Sequence, residues 1–66
     1  MTTKQTKLLT LKGKPAHFEV RWADGSTIED HEFGRQGYMT ETRAEAEEIV
    51  KALKQQDSPA IVVRLS

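Results

Sequence analysis

The sequence predicts a small α+β domain: a mostly antiparallel four-stranded sheet with one helix packed on one face. Three observations carry that expectation. His17-Phe18-Glu19-Val20-Arg21-Trp22 alternates strictly between polar and apolar side chains, the mark of a half-buried strand. Thr42 to Lys54 joins a helix-start signal to an apolar stripe at helical spacing. Ala60 to Leu65 is a β-branched run after a proline, which reads as a last strand.

The first expected strand is Lys7-Leu8-Leu9-Thr10-Leu11-Lys12, ended by Gly13-Lys14-Pro15. The second is the alternating run, with Phe18, Val20 and Trp22 on one face and His17, Glu19 and Arg21 on the other. Asp24-Gly25 after it is a strong hairpin signal. The third run, Thr27 to Phe33, carries Glu29, Asp30 and Glu32, so strict alternation would turn acids inward. A bulge near Glu29-Asp30 would bring Ile28, His31 and Phe33 to one face. Gly34-Arg35-Gln36-Gly37 then reads as a loop whose two glycines allow positive φ at both ends.

Thr42-Arg43-Ala44-Glu45 is a capping box, with Thr42 as N-cap. Ala46, Ile49, Val50 and Leu53 form the helix's apolar stripe, and Glu47 to Lys51 is a favourable i,i+4 pair. Pro59 prevents continuation. In the last run Ile61, Val63 and Leu65 are expected to face the helix, with Val62 on the other side. A right-handed crossover from the third strand places this fourth strand beside the first, giving the order 3-2-1-4. Residues 1–6 are expected to be a flexible tail and residues 7–66 the domain.

The chain has 66 residues, enough for one domain. A chain of this length buries only about 60% of its unfolded surface, so its stability is marginal and a homodimer is an option. With no cysteine there is no disulfide and no thiolate metal site. Lys4 and Lys7 are not followed by an apolar run, so a signal peptide is not expected, and no stretch is long enough to cross a bilayer. These features point to a soluble cytoplasmic chain. Ten Lys and Arg balance ten Asp and Glu, which is not the basic excess of a dedicated nucleic-acid binder.

His17 and His31 are the only histidines, and they lack a recognised ligand spacing or a third imidazole. Neither a metal nor a cofactor is expected. Serines and threonines are plentiful, but none lies in a nucleophile elbow, so an enzyme is not expected. Gly34-Arg35-Gln36-Gly37 matches the GxxG loop of KH RNA-binding domains in letters, but that loop joins two helices and this one follows a strand. The helix and last strand echo half of SPOR-type domains, and Phe33-Gly34-Arg35 before a helix echoes the WGR module. Both stretches are short and generic and carry no residue assignments.

Glu29, Asp30 and Glu32, with Glu41, Glu45, Glu47 and Glu48, form acidic patches; Lys4, Lys7, Lys12, Lys14 and Arg64 form a basic set. What remains is a regulatory or accessory interaction domain, of the size common among mobile-element proteins. Its expected partner is another protein. The expected contact is the open sheet face, through Leu8, Arg21, Val62 and Arg64, or the Gly34–Gly37 loop, through Arg35, Gln36 and Tyr38. The alternative is a nucleic-acid module using the basic first and fourth strands with the Arg35 loop.

Overall fold

The computed structural model describes residues 8–65. The expected tail, residues 1–6, lies outside them, as does Lys7. Among the described residues there are three strands: β1 (Phe18–Trp22), β2 (Met39–Thr40) and β3 (Ala60–Arg64). One helix, α1 (Arg43–Gln55), joins β2 to β3, and a short 3-10 turn (Arg35–Tyr38) leads into β2. The sheet is antiparallel in the order β2-β1-β3. β2 and β3 therefore run parallel to each other with β1 between them, and α1 is the crossover.

An α+β fold with one helix on one sheet face is what the sequence predicts. Four strands in the order 3-2-1-4 are not what forms, and local chemistry shows why. The first expected strand closes on itself instead. Leu9 bridges Pro15, Thr10 donates its amide to Lys14 at 2.8 Å, and Ala16 donates to Leu8 at 2.9 Å. The Thr10 hydroxyl accepts from the amides of Lys12 and Lys14, so the turn binds its own donors.

The third expected strand fails in the same manner. The Asp24-Gly25 turn does form, but with three loop residues: Trp22 donates its amide to Ser26 at 2.9 Å, and Arg21 bridges Thr27. That is one residue off the two-residue register. Ile28 then drops into the core. Asp30 and Gly34 exchange backbone hydrogen bonds of 2.7 and 3.0 Å, and the Asp30 carboxylate accepts from the amides of Glu32 and Phe33. These bonds hold the Asp30 carboxyl below its ordinary pKa. An aspartate that satisfies its own turn removes the reason to pair as a strand. His31 and Phe33 are exposed, so the predicted bulge that would turn them inward with Ile28 is absent.

α1 begins as the sequence predicts. The Thr42 hydroxyl accepts from the Glu45 amide at 3.3 Å, and the Glu45 carboxylate accepts from the Thr42 amide at 3.1 Å. Glu47 pairs with Arg43 at 2.9 Å, in place of the expected Lys51. The helix ends in a Schellman arrangement: Ser58 donates to Leu53 and Asp57 to Lys54, with Asp57 at φ +59.

The core lies between α1 and one face of the sheet. Val20, Ile28 and Ala46 are buried together, with Phe18, Trp22, Tyr38, Ile49, Val50, Leu53, Ala60 and Val62 packed around them. Directly paired residues in an antiparallel ladder share a face. Val62 is paired with Val20 and so lies under the helix; Val63 is paired with Glu19 and lies on the far side. The predicted orientation of the last strand is thus inverted. A one-residue change of register flips every side chain of a strand. Here the register is set beside Pro59, whose carbonyl accepts from the Ala23 amide at 3.2 Å.

Candidate interaction surface

The sheet face away from α1 is built around a charge. Alternation along β1 puts Glu19 and Arg21 on the side opposite Val20. Glu19 sits mid-strand with Met39 of β2 on one side and Val63 of β3 on the other. With both flanks filled its side chain is fully buried. A buried carboxylate needs partners, and two arginines supply them.

Arg35 reaches Glu19 across 16 positions of sequence with a two-point fork: Nε to Oε2 at 2.7 Å and Nη2 to Oε1 at 2.9 Å. Arg21 adds Nε to Oε1 at 2.9 Å. Arg35 can do this because the backbone turns sharply before it. Gly34 lies at φ +65, ψ −145, a region open almost only to glycine. Gly37 has a different duty from the expected positive φ: a Cβ there would stand 2.6 Å from the Asp30 Cβ. The two glycines fold the 3-10 turn against the Asp30–Gly34 closure and aim Arg35 at β1.

Burial alone pushes the Glu19 carboxyl up. The hydrogen bonds from Arg35 and Arg21, with their positive charges, outweigh it and hold the carboxyl below its ordinary value. The Glu19 hydrogen bond in turn raises the Arg35 pKa. Such a carboxylate stays ionised and its oxygens are engaged, so it is a poor proton carrier near neutrality. Two guanidiniums on one carboxylate leave the cluster net positive. Both terminal nitrogens of Arg21 and Nη1 of Arg35 have no hydrogen-bond partner among the described residues. Side-chain exposures of 24% for Arg21 and 41% for Arg35 keep those donors within reach of a visitor.

Apolar groups surround the cluster. Leu8, Leu9, Arg35, Gln36 and Met39 line a shallow depression of about 330 Å³. Leu8 and Leu9 are exposed. Gln36 holds them in place by donating from its amide to the carbonyls of Leu9 at 2.8 Å and Thr10 at 3.0 Å. Ile61, paired with Arg21, shares this sheet face and is 40% exposed.

Of the residues the sequence singles out, Arg21, Arg35, Leu8 and Gln36 therefore converge. Tyr38 and Val62 do not, because both pack into the core on the helix side. Arg64, paired with Phe18, also belongs to the helix side. Leu8 and Val62 do not lie on adjacent strands, since among the described residues β3 pairs only with β1. Sequence reasoning placed Glu19 on this face but not as its hub, and it missed Leu9, Met39 and Ile61. The available signal was Glu19 itself, a lone acid at the centre of the best strand two residues from an arginine.

Among the described residues no three His, Asp or Glu side chains gather as a metal site, and no helix is long and apolar enough to cross a membrane. No family model, curated protein or solved structure matches the chain.

Proposed function

We propose that this chain is a non-catalytic interaction domain that binds another protein through the sheet face opposite α1. The observation supporting it is the Arg21–Glu19–Arg35 cluster with Leu8, Leu9 and Ile61 exposed beside it. Glu19 fixes both guanidiniums in place, so their remaining N–H groups bind a partner's carboxylate or carbonyl with little further ordering cost. The neighbouring apolar side chains supply burial. An apolar centre with oriented arginines is the usual composition of a protein-binding patch. Arg35 is tied to a carboxylate, which weakens it as a phosphate anchor and favours a protein partner over a nucleic acid. The chain's size suits an accessory or regulatory role, and its lack of cysteine suits the cytoplasm.

The test uses Leu8→Ser combined with Leu9→Ser, which removes exposed apolar surface and keeps both backbone carbonyls on Gln36. A partner is first crosslinked to the wild-type protein in its host and then titrated in purified form. Affinity should fall at least about tenfold, or 1.4 kcal/mol, at unchanged melting temperature. Unchanged affinity would remove the sheet face from the reading. A nucleic-acid partner, with affinity falling steeply as salt rises, would replace the protein reading altogether.

A further inference from the structure

β3 is an edge strand: it pairs with β1 on one side and with no described residue on the other. Its outward groups follow from the ladder. The Pro59 carbonyl accepts from the Ala23 amide just after β1, and the Leu65 amide donates to the His17 carbonyl just before it. In an antiparallel pair the direction alternates. Residues 61 and 63 therefore bond to β1, while Ala60 and Val62 turn their N–H and C=O groups outward. Natural edges are guarded by lysine, proline, bulges or inward charges. Pro59 precedes β3 and Arg64 ends it, but its central Ile61-Val62-Val63 carries none of these, and Ile61 is 40% exposed.

We propose that the outer edge of β3 pairs antiparallel with β3 of a second copy of this chain. The strand is self-complementary about Val62. Centred there, Val62 faces Val62 of the second copy as a hydrogen-bonded pair, and Ile61 faces Val63 as a close non-hydrogen-bonded pair. Ile61, Val62 and Val63 each thus gain an apolar β-branched neighbour across the new pair. The outward N–H and C=O groups of Val62 gain partners in the second copy. A two-fold axis perpendicular to the sheet puts both helices on one face of a six-stranded sheet. Both Arg21–Glu19–Arg35 clusters then lie on the other, so the surface proposed for protein binding is doubled and stays open. The occupant is a second copy because this register matches apolar to apolar at its three central positions and opposes no like charges.

The experiment combines sedimentation with residue-resolved amide exchange on the wild-type protein, over concentrations up to about 1 mM. Dimer should form within that range, and protection of the Val62 amide should rise with the dimer fraction. Ile61→Glu should weaken the dimer about tenfold, because two symmetric apolar pairs are lost. A monomer throughout the range overturns the proposal. So does a dimer whose Val62 amide exchanges as fast as in the dilute protein, since another surface would then be in contact. The exchange readout uses the wild-type chain and stands whether or not the variant folds.

Discussion

Replacing Arg35 with alanine removes the two-point contact with Glu19 and leaves a fully buried carboxylate with the single Arg21 bond. Breaking a wholly buried ion pair from one side costs about 3–5 kcal/mol. The Arg35 side chain is 41% exposed, so solvent screens part of the interaction and water can enter the gap. A loss of about 2–3 kcal/mol is expected on those grounds. Against a total of roughly 3–10 kcal/mol for a chain of this length, that is a large fraction. Urea denaturation followed by Trp22 fluorescence measures it; Trp22 packs on the core and reports global unfolding. Arg35→Lys keeps the charge but not the fork and should fall between wild type and alanine.

The pH dependence separates this explanation from simple loss of packing. Glu19 titrates below its ordinary value of 4.5 in the folded protein. The folded state thus binds this proton less readily than the unfolded state. The stability it contributes is fully present above 4.5 and is lost as pH falls through the depressed folded value. Without Arg35 the depression shrinks, so the cost of the alanine variant should diminish through the same acidic window. A loss below about 0.5 kcal/mol at neutral pH, or one that is constant through the acid range, would refute the reasoning.

Three further outcomes follow from the fold. Thr42→Ala should cost about 1 kcal/mol in the same denaturation assay, because the hydroxyl that accepts from the Glu45 amide is lost while the backbone amide at position 42 keeps its bond to the Glu45 carboxylate. Asp57→Gly should stabilise by about 0.5 kcal/mol, since Asp57 occupies the left-handed position after α1 that glycine adopts without strain. Val62→Asp should unfold the domain by placing a charge against Val20 under the helix, whereas Ile61→Glu should shift monomer stability by less than about 1 kcal/mol; equal effects would mean that the faces of β3 are misassigned.

The elements written in local sequence were legible. The alternation of Phe18, Val20 and Trp22 gave β1, and Thr42 with Glu45 gave the start of α1 and its apolar stripe. Pairing was less legible because it depends on competition. Thr10 and Asp30 each capture nearby amides, and those closures displaced two expected strands. β2, only two residues long, carries no periodic signal at all. The inversion of β3 turned on one step of register beside Pro59, which neither propensity nor alternation fixes. The site was half legible: Arg21 and Leu8 were placed on the open sheet face of expected strands, and Arg35 and Gln36 were exposed-type side chains in a glycine-flanked loop. Glu19 as the hub was not, because its burial depends on Met39 and Val63 on the flanking strands, and its charge depends on Arg35 far along the chain.

The central claim is that the protein meets its partner through the sheet face opposite α1. Site-specific photocrosslinking in the native host tests it most directly, with a photoreactive residue at Leu9 on that face or at Lys51, exposed on α1. A discrete protein adduct is expected from position 9, suppressed by excess unmodified protein, and none from position 51. An adduct from position 51 alone, or a nucleic-acid adduct from position 9, would contradict it.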